Sequence, residues 1–160
     1  MLTQSQIDQF HRDGFVAVRN VLSPRELDEL LEAVERCQAE GIAGQGSDHK
    51  YHLHADGRKV YRRSEKMWRR TEIFQAVTVK PALLEMVGQC IGHPFLPLND
   101  SLVVKLPGGN VPVPWHQDPP YGRPEYTETF DIPNFVADLY LDDSTLEDRK
   151  STRLNSSHRT

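Results

Sequence analysis

The sequence of 160 residues is poor in the features that mark most specialised protein classes. Cysteine occurs only at Cys37 and Cys90, with no CxxC spacing. That argues against a disulfide framework and leaves two buried thiols in a reducing cytoplasm as the expectation. No apolar run approaches the roughly 18 residues that a membrane-spanning helix needs. The opening MLTQSQIDQF has neither a basic n-region nor an apolar h-region, so no secretory leader is expected. Positive charge is in deficit: 19 Lys and Arg stand against 23 Asp and Glu, a net charge of -4 with pI about 6.0. Neither nucleic acid nor an anionic membrane is therefore expected as the main partner. Internal repeats are lacking too. What remains, 38% hydrophobic and 26% charged residues, excludes a disordered or fibrous chain and suits one soluble globular domain.

The patterning changes abruptly after Leu146. Asp148-Arg149-Lys150-Ser151-Thr152-Arg153-Leu154-Asn155-Ser156-Ser157-His158 is polar, aperiodic and holds a single apolar residue. Composition alone makes it a disordered tail. It also reads, codon by codon, as one frame of a common sequencing adapter. The expectation is a native domain over 1–147 and a non-native tail over 148–160, excluded from fold reasoning. Without the four basic and two acidic residues after Leu146 the net charge is -6, and the conclusion about partners stands.

Where apolar residues are present they are ordered. Thr3 and Gln6 form a capping box, Ile7 and Phe10 share one helical face, and Asp13-Gly14 ends the helix. The β-branched and aromatic run Phe15 to Val18 predicts a strand. Ser23-Pro24-Arg25-Glu26 is a stronger start signal, with Ser at the N-cap, Pro at the first helical position and Glu at the third. Leu27, Leu30, Leu31, Val34 and Cys37 then give an amphipathic helix of about four turns, closed near Gly41. Gly41 to Arg63 is dominated by glycine, histidine and charge. It reads as a long loop or irregular hairpin, more a site lid than a core element. Pro81 opens a further helix with Leu83, Leu84, Val87, Cys90 and Ile91 on its apolar face and Gly92 as its stop. After it the period becomes two: Phe95 to Leu98 and Ser101 to Leu106 predict strands, Pro107-Gly108-Gly109-Asn110 a turn, and Asn134 to Leu141 a last strand. Helices first and strands afterwards indicate an α+β fold, or helices packed on a β-barrel.

The residues with most chemical content are Trp115-His116-Gln117-Asp118. In an extended segment alternate side chains point the same way, so His116 and Asp118 would project to one face. One imidazole and one carboxylate can fill two positions on a divalent metal. A second histidine from a distant strand would complete the two-His, one-carboxylate face of a non-haem Fe(II) oxygenase. A solvated turn or an ordinary His–Asp hydrogen bond is the plain alternative.

Three stretches resemble one family in combination. They are Gln6-Ile7-Asp8-Gln9-Phe10-His11-Arg12-Asp13-Gly14-Phe15-Val16 with Val21-Leu22-Ser23, then Leu102-Val103-Val104-Lys105-Leu106-Pro107-Gly108-Gly109 with Trp115-His116-Gln117-Asp118, and Asn134 to Asp143 with Thr145-Leu146-Glu147. Over roughly residues 4–147 the chain resembles the phytanoyl-CoA dioxygenase family of Fe(II)- and 2-oxoglutarate-dependent oxygenases. The resemblance implies a double-stranded β-helix of the cupin type with N-terminal helices outside it. It implies Fe(2+) and 2-oxoglutarate as cofactors, and O2 with a small organic molecule as the partners whose C–H bond is hydroxylated. It also implies a basic 2-oxoglutarate contact near Arg70, for which a surface arginine is the alternative. Lys105, on the strand before the motif, is a second cationic candidate if it faces the pocket rather than solvent. Tyr121 stands where the family places substrate-side residues, or it packs. The alternating pair His52 and His54 is better read as part of a polar loop than as a metal site, and Asp138 faces either a barrel lumen or an outer salt bridge. In the family the second metal histidine and a basic residue pairing with 2-oxoglutarate lie downstream of the acidic turn. His158 is too near His116 in sequence and falls in the tail. The chain is thus expected to be an inactive N-terminal piece of such an enzyme. The rival reading is a non-catalytic cupin-like binding or structural domain that keeps the HxD pair without using iron.

Overall fold

A computed structural model describes residues 1–97, 99–109, 111–113 and 135–142. Its order is α1 (Gln4–Asp13), α2 (Pro24–Ile42), β1 (His49–Leu53), β2 (Lys59–Glu65), a 3-10 turn at Met67–Arg69, α3 (Glu72–Thr78), α4 (Pro81–Ile91) and β3 (Ser101–Val103). The helix signals act where the sequence puts them. In α1 the Thr3 amide donates to the Gln6 side chain at 2.9 Å and the Gln6 amide to the Thr3 hydroxyl at 3.3 Å, while Gly14 closes the helix at φ 80°. In α2 the Ser23 amide donates to Glu26 at 2.7 Å and the Glu26 amide returns a bond to the Ser23 hydroxyl at 3.3 Å. Two orphan donors are satisfied at each start, which fixes where each helix begins. Pro81 and Gly92 bound α4 as the sequence indicates.

Among the described residues the strands form one antiparallel sheet in the order β1-β2-β3. The register between β1 and β2 shifts: Lys50 faces Arg63 but Tyr51 faces Tyr61, so Arg62 is the extra residue of a bulge. The bulge has a structural consequence. It places Tyr61 and Ser64, three apart, on the same face as His49 and Tyr51, the face that α2 covers. The buried side of α2, Leu30, Ala33 and Cys37, meets Met67, Phe74 and Val77 in the main core, with Leu102, Leu139 and Leu141 packed against it. A smaller core joins Leu2, Met86 and Cys90 to Phe10, Val16, Val21, Leu83 and Phe135. Both thiols are buried and free, as expected.

Five expectations change. Of the two forms expected for Gly41 to Arg63 the segment takes the irregular hairpin, with β1 and most of β2 paired across a bulge, but it is not a peripheral lid: His49, Val60 and Tyr61 are buried. Its polar side chains are paired inside the molecule, which composition cannot reveal. Phe15 to Val18 is not a strand: Val16 packs on the smaller core, and no strand lies beside the run among the described residues. Residues 95–97 form none either, between Pro94 and Pro97, which supply no ladder donors; Leu98 lies outside the described residues. Finally, Ser101 to Leu106 is strand only to Val103, with one more bond from the Val104 amide to the Arg62 carbonyl at 2.9 Å, and residues 135–141 carry no strand. Two elements went unforeseen, the 3-10 turn and α3. The described residues are thus an α+β arrangement; a double-stranded β-helix is not formed among them.

Candidate functional site

His116, Asp118 and Tyr121, with Trp115 beside them, lie outside the described residues. Two cationic candidates lie within them. Lys105 follows β3 on the exposed side of that segment, the side of Ser101 and Val103, while Leu102, Val104 and Leu106 are half-buried. Arg70, just after the 3-10 turn, is not a surface arginine, since its side chain is only 19% exposed. Nη1 donates to Glu40 Oε2 on α2 at 2.6 Å and Nη2 lies 3.2 Å from His49 Nε2 on β1. Its buried Nε has no hydrogen-bond partner.

Arg70 begins a chain of hydrogen bonds through the core. Because a guanidinium can only donate, His49 Nε2 must accept, and the ring proton must sit on Nδ1. Nδ1 then donates to Ser64 Oγ at 2.6 Å, and the same oxygen meets the Tyr61 hydroxyl at 2.6 Å. Burial first, and the neighbouring Arg70 charge second, hold the His49 imidazole below its ordinary pKa. Burial pushes the Tyr61 phenol up. Both groups are therefore neutral near pH 7. A serine 2.6 Å from a histidine has the chemistry of a nucleophile and its base, but Ser64 is 0% exposed. The pair ties β1 to β2 and offers no path for an incoming acyl group.

The histidines of the hairpin tip are engaged in the same way. The His52 and His54 rings meet edge to face at 4.6 Å, and His54 Nε2 lies 3.0 Å from the Gly109 carbonyl. A carbonyl can only accept, so Nε2 carries the proton and is not a metal ligand in this state. Among the described residues no group of three or more His, Cys, Asp or Glu could hold a metal ion.

Sequence reasoning passed over a cluster on the other face of the sheet. Arg63 Nη2 donates to Glu65 Oε1 at 2.7 Å, Lys50 Nζ lies 3.4 Å from Glu65 Oε2, and Arg63 Nε is buried without a partner. Lys50 and Arg63 are cross-strand neighbours, and Arg63 faces Val103. The signal was faint, three charges in a polar stretch, because only the bulge decides which of Arg62 and Arg63 faces which way. Further along the chain, Asp138 is exposed, and Phe135 fixes its segment to α1 by a ring contact with Phe10 at 5.7 Å.

Residues 10–148 match the phytanoyl-CoA dioxygenase (PhyH) family. The chain belongs to this family, which bears the name of a dioxygenase. None of the curated proteins matches the chain. No helix among the described residues is long and apolar enough to cross a membrane.

Proposed function

We propose that the chain is part of a cytoplasmic Fe(II)- and 2-oxoglutarate-dependent dioxygenase that hydroxylates a C–H bond of a small organic substrate. The observation that carries this reading is the family match over residues 10–148, within which Trp115-His116-Gln117-Asp118 stands. The family's cupin-like fold would set the described sheet into the wall of a double-stranded β-helix. The donor chemistry fits the metal: one neutral imidazole and one carboxylate are two of the three protein ligands of a facial Fe(II) site. His116 and Asp118 would hold the ion. With 2-oxoglutarate and O2 it supplies the oxidising chemistry that no amino-acid side chain can.

The protein's own part is to bind and orient. Arg70 and Lys105 are the cations offered for the 2-oxoglutarate carboxylates, and Tyr121 for the substrate. Arg70 is held by Glu40 and His49 with its Nε buried, so a carboxylate would meet it by taking over the place of Glu40. On this reading the third ligand belongs to sequence beyond the acidic turn, and the 160 residues alone do not turn over. No nucleic acid or membrane partner is proposed.

The test uses the longest natural form of the protein. With Fe(II) and no substrate it should form succinate slowly from 2-oxoglutarate. His116→Ala and Asp118→Ala should each abolish this and weaken Fe(II) binding, because two ligands make a poor chelate. Partial turnover retained in both variants would favour the rival reading, a non-catalytic cupin-like domain.

A further inference from the structure

The segment from Gly41 to Arg63 forms one wall of a cavity of about 570 Å³, within the usual range for small-molecule sites. The cavity lies between the end of α2, the tip of the β1–β2 hairpin and the Leu106 to Gly109 turn. Its walls divide by chemistry. Ile42, Val60 and Leu106 with the ring of Tyr51 make an apolar body, and Arg58 and Lys59 stand at the hairpin tip. Among the described residues no carboxylate lines it. Ile42 is 58% exposed and Tyr51 37%, so apolar surface is left open there.

The walls are fixed rather than incidental. The Tyr51 hydroxyl donates to the Gly41 carbonyl at 2.7 Å, which ties the side chain to the end of α2. His54 ties the hairpin tip to Gly109 across the cavity rim. A Cβ at Gly109 would come 3.2 Å from Val60 Cγ1, so the turn is pressed against the hairpin. The cations are only lightly engaged. Arg58 Nε is 4.0 Å from Asp56 on a half-exposed pair, and Lys59 forms no ion pair among the described residues.

We infer that this cavity receives the apolar body of a small organic anion, its carboxylate meeting Arg58 and Lys59. The inference rests on the oxygenase reading only in calling that anion the substrate class. Gly109 stands seven residues before His116, so whatever occupies the cavity touches the stretch of chain that leads into the metal motif. An apolar ring or chain gains by covering Ile42 and Tyr51, and one charge of the right sign selects among such molecules.

The experiment compares three probes of one shape, 4-phenylbutyrate, 4-phenylbutanol and 4-phenylbutylamine, by calorimetric titration of the metal-free natural protein. The acid should bind roughly tenfold or more tighter than the alcohol and the amine. Arg58→Glu with Lys59→Glu should erase or invert that order, and the milder Arg58→Gln with Lys59→Gln should erase it without a new repulsion. Ile42→Ser should weaken acid and alcohol alike. Equal binding of all three probes, preference for the amine, no binding, or indifference to the charge changes would each overturn the inference. Because titration needs neither iron nor 2-oxoglutarate, the two readings fail separately. Charge-selective binding without succinate formation would sink the oxygenase reading alone, and turnover without charge-selective binding would sink this one.

Discussion

Ser64 and Val103 stand one register step apart on paired strands, yet Ser64 is fully buried and Val103 is 61% exposed. The difference is which face each occupies. The face of Ser64, His49 and Tyr61 lies under α2, and its polar groups are satisfied by one another and by Arg70. The face of Val103, Arg63 and Lys50 has no helix over it among the described residues, and its charges pair sideways within the sheet. A sheet in an α+β domain buries one face and leaves the other to solvent or to a second sheet.

The comparison can be broken most directly by truncating one residue on each side. Phe74 is 8% exposed and Leu30 3%, both in the core beneath α2. Phe74→Ala or Leu30→Ala should destabilise by about 3 kcal/mol, the transfer and cavity terms together. Val103→Ala in the 160-residue chain should lie within about 0.5 kcal/mol of wild type. Urea unfolding of the three variants checks this, and equal losses would mean that both faces are covered. On the oxygenase reading the Val103 loss should rise to about 1.5 kcal/mol in a longer natural protein, where later strands would bury it.

A smaller effect isolates the polar side of the buried face. Ser64→Ala removes the oxygen that both His49 and Tyr61 use, and takes from the buried His49 Nδ1–H and Tyr61 hydroxyl the partner they share. The expected loss is about 1–3 kcal/mol at neutral pH. His49 adds a pH signature. Its folded pKa is lowered, so the unfolded chain binds the proton more readily. Stability from the neutral ring is full above the ordinary histidine value of 6.5 and is lost as pH falls below it. Unfolding followed from pH 8 to pH 5 should show this slope in wild type and a shallower one in His49→Gln.

These contrasts also explain what could be read in the chain before its structure. Helix starts were legible because their determinants sit three residues apart: Thr3 with Gln6, Ser23 with Glu26. The same holds for the two thiols, which follow apolar stripes. An irregular hairpin was legible over Gly41 to Arg63, but its burial was not, because its histidines and charges find partners far away, Arg70 for His49 and Gly109 for His54. Phe15 to Val18 has strand composition, but a strand needs a neighbour, and composition does not supply one. Arg70 was singled out from a resemblance; that it is buried against Glu40, thirty residues earlier, follows only from how α2 crosses the hairpin. The HxD pair was legible as a motif, and its geometry falls outside the described residues.

Two glycines sharpen the comparison on a finer scale. A Cβ at Gly41 would sit 2.5 Å from the Tyr61 ring, and one at Gly88 would sit 2.0 Å from His93 Nε2. Tyr61 is 3% exposed and cannot move without disturbing Ser64, whereas His93 is exposed. Gly41→Ala should therefore cost about 1–2 kcal/mol net, its overpacking penalty partly offset by better helix propensity. Gly88→Ala should be neutral or stabilising by up to about 1 kcal/mol, because the imidazole swings away and the helix gains. Thermal unfolding of both variants decides the point.

The smallest effect concerns the joint between the two cores. Glu26 caps α2 through the Ser23 amide and also takes a hydrogen bond from Lys80, the residue preceding α4. The bond from Lys80, then those from the Ser23 amide and hydroxyl, hold its carboxyl down at about 2. A carboxyl with a lowered folded pKa contributes stability that is complete above its ordinary value of about 4.5 and disappears as pH falls towards 2. Glu26→Gln keeps an oxygen for the Ser23 amide but loses the charge that Lys80 uses. Its stability should fall slightly short of wild type at pH 7, and the difference should close between pH 4.5 and pH 2. Added salt should narrow the gap at pH 7, since the ion pair is partly exposed. A gap that persisted unchanged at pH 2 would mean that Glu26 acts through its shape at the cap, and that the ion pair to Lys80 contributes nothing to holding α2 against α4.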